Sequence, residues 1–195
     1  MGSRLTFAAL LGLLLSGCVQ RAVLENDVRS AQWRARTLST AADPSLGYAA
    51  LSAQLVELEA LYQRDPDDTR VLGLLERGYR LMAHGFVELR YLEALAAGDT
   101  ARAEQEARLR ADAESRARYY RAAASSSVPV SLLVESDFAG PEAACARHDR
   151  VAYERQLTAV LAAQERTAEE RLERALSRRL AAARLSPAVA ARCNF

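Results

Sequence analysis

Residues 65–99 read DPDDTRVLGLLERGYRLMAHGFVELRYLEALAAGD, and this stretch decides the fold. Asp65 and Pro66 make a turn, and the acidic residues behind them supply N-cap chemistry for a helix. Leu75, Tyr79, Met82, Phe86 and Leu89 then recur at i, i+4, i+7, i+11 and i+14. That spacing puts them on one helical face. The helix is predicted to run to about Ala97, where Gly98 and Asp99 break it. Working outward, Leu51, Leu55, Leu58 and Tyr62 form one stripe of a preceding helix that stops at Arg64. Before it, Glu25 to Ser39 reads as a helix closed by the Asp43–Pro44 turn. After it, Thr100 to Ala124 reads as a helix whose face is mostly small: Ala103, Ala107, Ala113 and Ala117, with Tyr120 near its end. Small residues let helix backbones approach closely, as an antiparallel array requires. The expected domain spans 25–124.

Composition agrees with an all-α chain. Of 195 residues, 40 are Ala, 29 Leu and 26 Arg, and Ile is absent, so strong helix formers dominate over β-branched residues. There is no Lys, and the 26 arginines stand against 25 acidic residues. That near-neutral balance argues against nucleic acid as a partner, because binding to phosphates rests on a net basic surface. It also leaves no polybasic membrane patch. The joint absence of Lys and Ile fits a GC-rich coding bias better than selection for phosphate recognition.

Residues 125–141 interrupt the pattern. The run of three serines at 125–127, two prolines and the Gly140–Pro141 pair argue for an irregular linker, in which VPVSLLV fits a short extended piece. From Glu142 to Arg184 the chain is again helical, with Leu172, Leu176 and Leu180 in a narrow stripe among Arg and Glu residues. This reads as a solvated amphipathic helix or a helical hairpin, followed by a tail over 185–195. Thr167 and Glu170 have capping-box spacing, but no Gly or Pro marks a turn. The cysteines bear on that choice. A straight helix over 142–184 would be about 64 Å long, whereas the residues from Leu185 to Cys193 reach back only about 30 Å. A Cys145–Cys193 bridge therefore requires a hairpin; two free, partly buried thiols remain the alternative.

The N-terminus carries the most specific motif. Arg4 precedes an apolar run from Leu5 to Leu15, too short for a spanning helix, which needs roughly 20 residues, and suited to a signal peptide. Leu15, Ser16, Gly17 and Cys18 look like a bacterial lipobox. The expectation is removal of residues 1–17, acylation of Cys18, a tether over 18–24 and attachment to a membrane through the acyl chains. Removing 1–17 takes away Arg4 alone, so the mature chain has no net charge. Val19 stands where the inner-membrane retention signal has Asp, which points to the outer membrane, periplasmic face. In that oxidising compartment a thiol pair can bridge.

A helical-hairpin repeat of the tetratricopeptide kind places large and aromatic residues at fixed offsets after a proline. Counting from Pro66, Leu72, Leu75 and Tyr79 occupy the first such positions, while Ala83 and Glu88 miss later ones. A broader likeness runs from Ala42 to Ala124, through ADPSLGYAAL, the stretch from Leu61 to Tyr91, GDTARAEQEARLRA and SRARYYRAAA. The DP turn at Asp65 and Pro66, the GY at Gly78 and Tyr79, the GFVE from Gly85 to Glu88 and RARYYRA from Arg116 to Ala122 resemble the T-component (TatT) family of TRAP-transporter-associated lipoproteins. The resemblance implies TPR-like helical hairpins, a homo-oligomer, a periplasmic substrate-binding protein as partner and a scaffolding or ligand-handling role without chemistry.

Tyr79, Met82, Phe86, Tyr119 and Tyr120 are the candidate groove residues for a partner or ligand. Aromatic residues at helical spacing equally make a core. His84 is read as a helix-packing histidine, Glu88 as an ion-pairing residue, and His148 as part of an exposed helical face. Neither histidine has metal-ligand company, and no nucleophile elbow, phosphate loop or calcium loop is present. No metal, cofactor or enzymatic activity is expected. Two functional classes follow: an accessory adaptor of TRAP-type solute uptake, and an envelope structural or assembly lipoprotein.

Overall fold

The computed structural model describes residues 2–124 and 132–195, with side chains from Val19 onward. The Cys18 side chain and most of the expected extended piece at 128–134 therefore lie outside the described residues. Among the described residues the chain is an all-α helical array without strands.

Helix α1 covers Gly2–Ser39. The expected tether is helical: Leu24 packs on the core four residues before the fully buried Val28, and Ala31 follows at i+7. Apolar spacing thus carries the helix back past the first charged turn. Helix α2, Pro44–Arg64, opens with Pro44 at its first position and the Asp43 carboxylate accepting the Ser45 N–H at 2.8 Å. Helix α3, Thr69–Leu81, is capped by Asp68, whose Oδ1 accepts the Arg70 N–H at 2.9 Å.

The stripe that began in α3 does not continue with α-helical winding. Met82–Val87 form a π-helical segment that leads directly into α4, Glu88–Ala96. The wider turn buries Ala83, Gly85, Phe86, Val87, Glu88 and Leu89 and leaves His84 partly exposed. Gly85 is closely packed there: a Cβ would lie 3.0 Å from Leu176 Cδ1 and 3.2 Å from Leu81 Cδ1. Helix α5, Thr100–Ala123, packs on α3, the π segment and α4, with Ala103, Ala113 and Ala117 inward.

The described part of the expected linker is helix from Leu133 onward. Helix α6 covers Leu133–Ala146 and holds Pro141 in its interior. Pro141 removes one helical hydrogen bond, yet its ring is buried, and Val134, Phe138 and Ala144 pack into the core around it. Burial outweighs the local helix-breaking chemistry.

Helix α7, Arg150–Ala162, follows a turn that repeats an earlier one. Gly98 and His148 both take left-handed backbone, with φ of 73° and 56°. Asp99 N–H reaches Ala94 O at 2.9 Å, and Asp149 N–H reaches Ala144 O at 3.0 Å. Each aspartate then caps the next helix, accepting from Arg102 N and Ala152 N. These are two copies of one helix-end motif. His148 is therefore a turn residue, not part of a helical face, and its Nδ1 lies 2.7 Å from Cys193 O.

Helix α8, Arg171–Arg184, corrects the expectation of a solvated C-terminal helix. It touches α1, α2, α4, α6, α7 and the π segment, and Leu172, Leu176 and Leu180 are fully buried. Its charges pair across the array, the first two from buried side chains of α8, the third at the surface and the fourth from a largely buried side chain: Glu173 with Arg77 at 2.7 Å, Arg174 with Asp137 at 2.8 Å, Arg179 with Glu93 at 3.0 Å and Arg184 with Glu88 at 3.3 Å. Before α8 the Thr167 side chain caps nothing; Glu170 instead accepts the Arg166 N–H at 3.0 Å. The tail turns through α9, Pro187–Ala190, to Cys193, which is disulfide-bonded to Cys145.

Candidate functional site

A groove of about 400 Å³ runs between α2 and α5 over the α3–π junction. Leu55, Val56, Met82, Val87 and Leu109 supply apolar walls, and Tyr48, Glu59, Tyr79, Arg90 and Arg116 the polar rim. Val56 and Leu109 are large apolar side chains left 71% and 44% exposed, so an uncovered apolar wall is part of the surface.

Glu59 organises one end. Its Oε1 accepts the Tyr79 hydroxyl at 2.8 Å and its Oε2 the Tyr120 hydroxyl at 2.5 Å. Arg116 donates to Tyr79 Oη at 3.1 Å and to Glu59 at 3.3 Å. Tyr79 and Tyr120 stack with ring centroids 5.9 Å apart, and Tyr62 and Tyr119 add edge contacts and a mutual hydroxyl hydrogen bond of 2.8 Å. Burial, reinforced by the Glu59 carboxylate, pushes Tyr79 up to about 12. The same two causes, in the same order, raise Tyr120. Both phenols thus stay neutral donors at physiological pH.

At the rim, Arg90 lies 4.6 Å over the Tyr48 ring and Arg116 lies 5.5 Å from the Tyr79 centroid. Glu106 also holds Arg90, accepting from its Nε at 3.0 Å. Arginines held over tyrosine rings, tyrosine edges and an apolar floor offer packing and directional hydrogen bonds at this surface. Tyr and Arg are the residue types that dominate such contacts.

The five groove residues named from sequence divide accordingly. Tyr79 and Met82 line the groove. Tyr119 is 57% exposed beside it, and Tyr120 is a buried support. Phe86 is a core residue: it sits edge-on to Tyr48 and near Gly47, and it is not a groove wall. Sequence reading missed Tyr48, Val56, Glu59, Arg90 and Arg116. A second stripe on α2, Tyr48, Ser52, Val56, Glu59 and Tyr62, was the available signal; it was masked by the stronger leucine stripe.

Two other cavities have different character. One of about 330 Å³ lies among α1, α2, α3 and α8. Three of its polar side chains are used internally: Gln54 donates to Ala31 O at 3.1 Å and Arg77 to Glu173 at 2.7 Å. The other, about 310 Å³, holds His84, Glu88, Arg110 and Glu135. Arg110 pairs with Glu88, Arg80 with Glu135, and His84 Nε2 lies 3.6 Å from Glu135. Among the described residues no group of three or more His, Cys, Asp or Glu side chains is arranged to hold a metal ion. No helix among them is long and apolar enough to cross a membrane.

No protein-family model matches the chain, nor does any curated protein or solved structure.

Proposed function

We propose that this chain is a lipid-anchored adaptor of the bacterial envelope, held to the outer membrane through acylated Cys18 and binding a protein partner in the α2–α5 groove. The lipobox-like LSGC at 15–18 supports the anchor, and the Cys145–Cys193 disulfide is at home in an oxidising compartment. The groove supports the adaptor role: exposed Val56 and Leu109 flanked by arginines stacked on tyrosines are the makings of an interface centre. That groove is the single observation carrying the reading. The partner suggested by the TatT resemblance is an extracytoplasmic substrate-binding protein of a TRAP-type uptake system.

The test is co-purification of the acylated protein with a substrate-binding protein encoded beside it. The expected result is a complex that survives washing and is lost in Arg116→Glu and Val56→Asp variants that remain folded by circular dichroism. A complex unaffected by both variants would remove the groove from the interface. No complex, together with capture of an envelope assembly factor, would replace uptake by the assembly role.

A further inference from the structure

Helix α1 has a second face that is largely uncovered among the described residues. Val19, Val23, Asn26, Ser30, Trp33 and Thr37 recur at i, i+4, i+7, i+11, i+14 and i+18, opposite the Leu24, Val28 and Ala31 side that meets the core. Val19 is 62%, Val23 48% and Trp33 66% exposed. None of the six is charged. The acids of α1 point instead to its neighbours: Asp27 pairs with Arg64 at 2.7 Å and Glu25 with Arg70 at 2.8 Å. Arg29, 69% exposed, borders the uncharged face. Beside it, Thr37, Ala41, Leu46, Ala50 and Ala53 line a mostly apolar groove between α1 and α2 whose charged members, Arg34 and Glu57, pair with each other at 2.7 Å, and Leu46 is 68% exposed.

From this geometry we infer that α1 lies flat on the bilayer, with Val19, Val23 and Trp33 seated at the headgroup level. The inference rests on the acylated Cys18 of the proposed function. The occupant follows from where that residue stands. Cys18 falls within α1, with no break between it and Trp33. An acylated Cys18 therefore holds the N-terminal end of this same helix at the membrane. An upright helix would hold Trp33 about 22 Å from the anchor and leave the whole stripe in water. A helix in the plane of the surface places a Trp and two valines where amphipathic helices and interfacial tryptophans settle. It also sets Arg29 beside anionic headgroups. In this pose the α2–α5 groove is held at a fixed orientation to the membrane instead of swinging on a tether.

Trp33 is the single tryptophan of the chain, so it reports directly. The acylated protein would be reconstituted in vesicles of phosphatidylethanolamine and phosphatidylglycerol, with and without lipids brominated near the headgroup end of the acyl chains. The expected result is blue-shifted Trp33 emission and a roughly twofold loss of intensity in brominated vesicles. A Trp33→Phe, Val151→Trp protein, which moves the probe to the exposed face of α7, should show neither change. Anchored protein whose Trp33 is unquenched and accessible to acrylamide overturns the inference while leaving the anchor intact. Blue-shifted but unquenched emission also overturns it, and assigns the face to a second protein surface. Mass spectrometry without an acyl mass on Cys18 removes the anchor reading itself, and the inference with it.

Discussion

Gly47 on α2 gives Leu172 on α8 its place in the core: a Cβ added at Gly47 would lie 2.6 Å from Leu172 Cδ1 and 3.3 Å from Phe86 Cζ. Leu172 is fully buried and Phe86 nearly so, and Leu172 can yield only toward the cavity it lines among α1, α2, α3 and α8. Gly47→Ala gains up to about 1 kcal/mol in helix propensity, but overpacking costs about 1–3 kcal/mol. The net expectation is a destabilisation of up to about 2 kcal/mol, read as a lower urea midpoint with an unchanged slope.

Gly73, within α3, is the control. Nothing lies within 4 Å of a Cβ built there, so Gly73→Ala keeps the propensity gain alone and should stabilise by about 0.5–1 kcal/mol. A lower midpoint would show that the glycine serves something other than packing.

The Cys145–Cys193 disulfide spans 48 positions and ties the α6–α7 turn to the C-terminal tail. On the loop-entropy account, closing a loop of that length stabilises by about 4 kcal/mol. Reduction, or Cys145→Ser with Cys193→Ser, should lower the unfolding free energy by about 2–4 kcal/mol. An unchanged midpoint under reductant would mean that the tail's own contacts already hold it.

Glu173 acts as a remote helix cap. Helix α6 has no capping side chain of its own, and the Leu133 N–H donates instead to Glu173 Oε2 at 2.7 Å, while Oε1 accepts from Arg77. Glu173→Ala leaves that N–H without its acceptor and should cost about 1–3 kcal/mol. Glu173→Gln, which keeps an acceptor, should cost less. Equal losses in the two variants would place the contribution in charge instead of capping.

The Tyr79 phenol supplies a pH signature. Its proton is held up to about 12 against an ordinary value of 10.0, first by burial and then by Glu59. Below pH 10 both folded and unfolded chains keep it protonated, and its contribution is fully present. Between pH 10 and 12 the unfolded chain releases the proton first, so stability falls as pH rises through that window. Ultraviolet titration should show a late-ionising tyrosine, brought to lower pH by Glu59→Gln. An unaltered titration curve in that variant would mean that burial alone sets the value.

Most of the helical framework was legible in local sequence. The Asp–Pro turns, the Asp43 and Asp68 caps, the leucine stripe of α2 and the small face of α5 are governed by residues within a turn or two of one another, so spacing sufficed. Three features were not legible. Pro141 argued for a linker, yet α6 forms because Val134, Phe138 and Ala144 are buried around it. His148 occupies a left-handed position that sequence assigns to glycine, and there its ring meets Cys193 O. The Arg/Glu pattern of α8 reads as solvated, since composition does not distinguish a charge facing water from one facing Glu88 or Asp137 on another helix. The groove divides in the same way. Sequence picked out Tyr79 and Met82, but Glu59, Arg90 and Arg116 became groove residues only when α2 and α5 packed on α3. The sequence by itself determined where helices start and stop and which residues are apolar, because those are properties of neighbouring residues. Which face is covered, and which charge finds which partner, was decided by contacts between residues up to and beyond 100 positions apart, and no local pattern encodes them.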